Sequence, residues 1–148
     1  MLRKTIVGPH SAGRKSLVLR LSSEQNLAAV FESMAQLKAE TVVIGSDALF
    51  TNRAEQLGSL ALRYRVPAIY QNSEFTEGGG LMSYSGNVAE GYRLAGVYVG
   101  RIIEGEKPGE LPVQQSTKAE LYINLKTAKA LDIAVPLPLS GRADELFE

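Results

Sequence analysis

The chain has 148 residues, with 16 Lys+Arg against 16 Asp+Glu, 45% hydrophobic residues, no Cys, no Trp and a single histidine, His10. A chain of this size buries a sufficient core without a disulfide or a metal, and its even charge leaves no electrostatic footprint for nucleic acid or an anionic membrane. The lack of cysteine excludes thiolate catalysis, cysteine zinc sites and disulfides, and a lone histidine removes most Ser/His catalysis and histidine-rich metal sites.

Residues 1–15 are rich in Gly, Ser and basic side chains, with one short apolar patch at Ile6-Val7, and read as a lead-in arm to a single α/β domain over residues 16–148. They hold no apolar signal core, and no apolar run in the chain approaches the roughly 18 residues of a membrane span, so as given the chain is expected to stay in the cytoplasm. Leu17-Val18-Leu19 reads as a short buried strand. Ser22 and Gln25 have the spacing of a capping box, and Leu27, Val30, Phe31, Met34 and Leu37 then recur at helical spacing. Thr41-Val42-Val43-Ile44 is a β-branched run ended by Gly45-Ser46-Asp47, which predicts a parallel strand covered on both faces.

Residues 52–65 repeat Ala54, Leu57, Ala61 and Tyr64 helically, and Val66-Pro67-Ala68-Ile69-Tyr70 predicts a third strand with its proline at the start. Strands alternating with helices need right-handed crossovers, so residues 17–70 are expected to form a parallel α/β layer. A polar loop then leads through Gly78-Gly79-Gly80 to Leu81-Met82-Ser83-Tyr84. Next comes a helix with the stripe Val88, Tyr92, Ala95, Val99 and Ile102. The stretch GEKPGELPVQQ reads as a linker. Residues 117–123 alternate as a half-exposed strand, Asn124 caps a short helix, and a proline-broken tail closes the chain.

In open parallel sheets, ligands sit beyond the carboxyl ends of the strands. Asp47 and Glu74 follow two such ends. Their carboxylates suit a ligand's ammonium or hydroxyl groups, with Ser46 and Asn52 for its polar oxygens; the plainer roles are a helix cap for Asp47 and a solvated loop residue for Glu74. The triple glycine lacks the Lys-Ser/Thr of a phosphate-binding loop, so it reads as a turn with positive φ. Gly96 and Gly100 suggest close packing against another element, and at least two of Tyr84, Tyr92 and Tyr98 are expected to pack in the core. A phosphoacceptor role for Asp47 lacks the acidic groups that hold Mg²⁺. Gly45-Ser46-Asp47 is no nucleophile elbow, and no catalytic constellation assembles, so no enzyme activity is expected.

The ordered blocks Pro67-Ala68-Ile69-Tyr70, Glu74-Phe75, Gly79-Gly80-Leu81-Met82-Ser83-Tyr84, Gly91-Tyr92-Arg93, Ala95-Gly96-Val97-Tyr98-Val99, Leu111-Pro112-Val113, Ile123-Asn124-Leu125-Lys126-Thr127-Ala128-Lys129-Ala130-Leu131 and Arg142-Ala143-Asp144-Glu145 closely resemble the substrate-binding proteins of ABC transporters. The likeness is to the group related to aromatic-amino-acid binders, and it runs from about Leu17 to Glu148. It implies a three-layer α/β parallel sheet like the C-terminal lobe of a type I periplasmic binding protein, whose two lobes close on a small ligand. No cofactor and no metal are expected, and the resemblance implies a small-molecule ligand such as an amino acid and, for the full-length family, an ABC permease partner and a periplasmic location. Asp47 and Glu74 match the family's acidic loop positions, while Ser83 and Tyr84 match the segment returning towards the other lobe.

Family members also carry an export signal and a complete first lobe, which this sequence does not show. The resemblance therefore implies a truncated or fragmentary solute-binding protein. The alternative is a stand-alone dimeric interaction or regulatory module without transport activity. The helix over residues 88–103 would lie against the first lobe, so its stripe is expected to be partly exposed in a lone chain and to drive a homodimer.

Overall fold

A computed structural model describes residues 3–7, 16–21, 26–114 and 118–148, with side chains from Leu17 onward. In chain order, β1 (Arg3–Val7) and β2 (Ser16–Arg20) precede α1 (Leu27–Gln36), β3 (Val42–Val43), α2 (Ala48–Thr51), α3 (Ala54–Arg63), β4 (Ala68–Tyr70) and α4 (Ser73–Glu77). Then come β5 (Met82–Gly86), α5 (Val88–Ile103), β6 (Ala119–Asn124), α6 (Leu125–Ala130), α7 (Leu137–Ser140) and β7 (Glu145–Phe147).

Five strands form one sheet in the order β3-β4-β5-β6-β7, flanked by helices and parallel except where β5 meets β6. The expected α/β class with a mainly parallel sheet is therefore present. One part of the expectation is corrected: β2 does not join this layer but pairs antiparallel with β1, Thr5 opposite Val18, as a separate two-stranded sheet. As a result β3 is an edge strand. Val43, expected to be covered on both sides, is 76% exposed. The capping box at Ser22 and Gln25 lies outside the described residues.

The core forms where the helical stripes meet β4. Leu27 and Phe31 of α1, Ala54, Leu57, Leu60 and Ala61 of α3, and Ala68 and Tyr70 of β4 pack into one buried cluster with Phe75 of α4. Tyr64 stacks on Phe31 at a centroid distance of 6.5 Å. The helix expected over residues 52–65 is interrupted at its start, because Asp47 caps the short α2 and the chain turns at Asn52-Arg53 before α3 begins. Of the triple glycine only Gly79 has a positive φ, 105°. Gly80 serves close packing instead, since a Cβ there would fall 2.1 Å from the ring of Phe75.

Between β5 and β6 the chain makes a long excursion through α5, in which no residue is buried. Val88, Tyr92, Val99 and Ile103 are exposed there, and added Cβ atoms on Gly96 and Gly100 would meet nothing, so the close packing expected of those glycines is absent among the described residues. Tyr84 and Tyr92 are likewise exposed rather than in the core, and only Tyr98 is partly covered, its hydroxyl donating to the Pro112 carbonyl.

Asn87 fastens the base of α5. Its side-chain oxygen accepts from Glu90 N at 2.7 Å, its amide donates to Glu120 at 2.6 Å, and its own N–H donates to the Lys118 carbonyl at 3.1 Å. The Glu120 carboxyl lies below its ordinary range, chiefly through the Asn87 hydrogen bond and next through the one from the Tyr122 hydroxyl. Folding thus lowers this pKa. The stabilisation is complete above the unfolded value, about 4.3 for Glu, and is lost as pH falls through the lower folded value. Thermal melts run from neutral pH downward should show Glu120→Gln flattening part of the acid-side loss of stability. Parallel curves for the two proteins would remove Glu120 from this role.

Candidate functional site

β3 and β4 run parallel, so their carboxyl ends open on the same edge of the sheet, and the chain leaves each end into a short helix, α2 and α4. A depression of about 420 Å³ lies there, lined by Thr51, Asn52, Arg53, Ala54, Glu55, Gln56, Asn72 and Glu74. Its volume falls within the range of small-ligand sites. One wall is the turn between α2 and α3, and the other is the start of α4. Beneath them the buried Tyr70 hydroxyl, at the end of β4, is 3.1 Å from the Thr51 hydroxyl and so ties the α2 wall to the strand.

Local sequence explains the shape. Asp47 sits in an extended conformation and accepts from Leu49 N at 2.8 Å, which starts α2, while its carbonyl accepts from the N–H and hydroxyl of Thr51. A cap of this kind satisfies an N–H that the helix leaves unpaired. After four helical residues the helix ends at its C-cap Asn52, and α3 begins at Ala54 with Glu55 in its first turn. Across the depression Asn72 precedes α4, and Glu74 is exposed in that helix's first turn. Two carboxylates, one guanidinium and three side-chain amides therefore share the lining, a set that can face both ends of a zwitterion.

Of the residues singled out from sequence, Asn52 and Glu74 come together in this depression. Ser46 and Asp47 are exposed and instead line the end of a second, larger groove between β2, α1 and β3. Ser83 and Tyr84 are neighbours on β5 and so point to opposite faces. Ser83 is fully buried, its hydroxyl without a hydrogen-bond partner, and Tyr84 is 59% exposed; neither lines the depression. Sequence reasoning passed over Thr51, Arg53, Glu55, Gln56 and Asn72. The signal for Asn72 was its place two residues beyond β4, and for the others it was the helix break that the Asp47 cap forces. Among the described residues no group of three or more His, Cys, Asp or Glu is placed to hold a metal ion, and no helix is long and apolar enough to cross a membrane.

The family model for "ABC transporter substrate binding protein" matches residues 12–147. The chain belongs to this family. Among curated proteins, none matches it in a sequence comparison. Solved structures show the same fold. A conserved domain protein from Vibrio cholerae superposes with a TM-score of 0.71 at 23% identity, over 82% of this chain and 41% of its own. An ABC domain in complex with L-Trp from Streptococcus pneumonia gives 0.74 at 20% identity, over 86% of this chain and 43% of that one. A ligand-free, open substrate binding protein with adhesive properties from Clostridium difficile gives 0.58 at 18% identity, over 86% and 42%. The chain thus spans less than half the length of these members of the same fold.

Proposed function

We propose that this family member captures a small polar solute of the amino-acid kind at the depression beyond β3 and β4, as a non-enzymatic binding domain serving an ABC permease in the periplasm. The observation that carries this reading is the lining itself: carboxylates at Glu55 and Glu74 beside amides at Asn52, Gln56 and Asn72, at the edge of a parallel sheet where ligands of such folds collect. The L-Trp held by the pneumococcal relative supports an amino acid as the ligand class. Glu74 is proposed to receive the ammonium group and Asn52 a polar oxygen. Asp47 and Ser46 flank the same strand end, and the proposal rests on Asn52 and Glu74.

Titration calorimetry with a panel of amino acids that includes L-Trp tests this. Weak but saturable heat is expected for at least one of them. A hydrogen bond to a charged group contributes about 1.5–3 kcal/mol, so Glu74→Gln should weaken binding by roughly ten-fold or more. Asp132→Asn, at an exposed carboxylate held by Arg65, should leave binding unchanged. No heat from the whole panel, or equal affinity in Glu74→Gln, would defeat the proposal.

A second reading, a self-associating module, is favoured by one observation, the exposed stripe of Val88, Tyr92, Val99 and Ile103 on α5. It predicts a dimer mass in light scattering, returned to monomer by Tyr92→Lys. A monomer mass at all concentrations tried counts against it.

A further inference from the structure

Taking the depression as the ligand site proposed above, we infer that Gly78 is a positioning residue for it: lacking a side chain, it holds the first turns of α3 and α4 at the separation that lets Glu55 and Glu74 grip one ligand together. Gly78 touches the backbone of both carboxylate residues. Its N–H donates to the Glu74 carbonyl at 2.9 Å. A Cβ built on it would fall 2.5 Å from Glu55 Cα and 2.7 Å from the Glu55 carbonyl oxygen.

Backbone conformation does not explain a glycine at this position. Gly78 has φ −70° and ψ 4° at the end of α4, and Leu37, Asn52 and Glu104 adopt nearly the same angles at the ends of α1, α2 and α5. Gly58, across the contact, is buried inside α3, where glycine is less stable than alanine. One close approach accounts for both identities. A Cβ on Gly58 would fall 2.3 Å from the Phe75 carbonyl oxygen, 2.8 Å from Gly80 N and 3.0 Å from the Gly78 carbonyl carbon. All of these atoms are backbone, so no change of rotamer relieves the clash. Ser59 fastens the pair, its hydroxyl donating to the Gly78 carbonyl at 3.0 Å.

The separation matters because groups that hold a ligand work within about 0.5 Å of their productive geometry. Carbon atoms in contact sit about 3.5–4.0 Å apart, so a methyl group on Gly78 would drive the Glu55 backbone about 1 Å away. The end of α4 is held from its other side. The Thr76 carbonyl accepts from the Asn124 amide at 2.9 Å, and the Gly79 carbonyl accepts from the Thr127 hydroxyl at 3.0 Å. The displacement therefore falls on the first turn of α3, and Glu55 and Gln56 recede from Glu74 and Asn72 across the depression.

The test is titration calorimetry on the full chain with the standard L-amino acids, the one giving the largest heat serving as reporter, at a temperature where circular dichroism shows each variant folded. Gly78→Ala should raise the reporter's Kd about ten-fold or more, with the stoichiometry unchanged. In a Glu74→Gln background one side of the grip is already lost, so the same change should cost less than about three-fold, since residues acting through one contact are not additive. Ile123→Val, a core change outside the depression, should leave Kd where it is. Where Gly78→Ala does not fold, Ser59→Ala decides: it frees the Gly78 carbonyl without adding an atom and should raise Kd about three-fold. Binding by the original chain with an unchanged Kd in the deciding variant overturns the role of Gly78 and leaves the ligand site standing. So does an equal loss in Ile123→Val, or an undiminished loss in the Glu74→Gln background. No heat from any amino acid overturns the ligand site itself, and the role of Gly78 with it.

Discussion

Phe75→Ala is expected to cost about 3–5 kcal/mol of folding stability, the range for removing a buried aromatic ring. Phe75 is 0% exposed and meets Tyr70 edge-on at a centroid distance of 5.9 Å and an angle of 73°. What raises the cost is how little its surroundings can collapse. A Cβ on Gly80 would lie 2.1 Å from the ring, and one on Gly58 would lie 2.3 Å from the Phe75 carbonyl oxygen, so α3 and the chain after α4 are already at their closest approach. On the Gly80 side the ring lies against backbone, which cannot move in to fill its space. Domains of this size are stable by only about 5–15 kcal/mol, so the variant sits near its unfolding threshold. Urea titration gives the value, and a loss below about 1 kcal/mol would show that the site repacks. Glu74 is the preceding residue of the same helix, so in this variant ligand heat should fall in proportion to the folded fraction.

Asn124→Ala is expected to cost about 2–4 kcal/mol, by two separate losses. Asn124 is 7% exposed; its oxygen accepts from Thr127 N at 2.8 Å and caps α6, and its amide donates to the Thr76 carbonyl at 2.9 Å. Losing the cap costs about 1 kcal/mol, and stranding a buried carbonyl costs about 1–3 kcal/mol. Asn124→Asp separates the two. The carboxylate keeps the capping oxygen but has no donor for Thr76, and it brings charge against a carbonyl in a buried place, which is expensive without a partner. At neutral pH the Asp variant should therefore be the less stable of the two. If it matches the original protein in chemical denaturation, the Asn124–Thr76 bond contributes nothing.

The sequence spelled out those elements whose periodicity runs long enough to be read. The stripes Leu27, Val30, Phe31 and Ala54, Leu57, Ala61 are buried as their spacing indicates, although Leu37 at the end of the first is exposed, and β4 lies where Val66 to Tyr70 placed it. α4 has five residues and β7 three, too few for a period to show, and β7 exists because Tyr122 to Asn124 of β6 offer it a parallel partner. The partner of β2 was hidden for a related reason: an apolar run states that it will be covered, not which strand will lie beside it. In the candidate site, Asn52 and Glu74 were legible from their distance to a strand end. Thr51 and Asn72 were not, since their meeting depends on the helix break at Asn52-Arg53 and on the Tyr70 hydroxyl reaching across to Thr51.

Gly86 stands opposite Ala119 at the end of the antiparallel ladder formed by β5 and β6. The chain therefore departs from the sheet and rejoins it at a single rung. In topological terms the described residues between Gly86 and Ala119 are a side branch: no strand order depends on them, and Asn87 fastens the start of α5 to Lys118 and Glu120 beside that rung. The pairing register from β3 to β7 is therefore independent of the direction α5 takes from that rung.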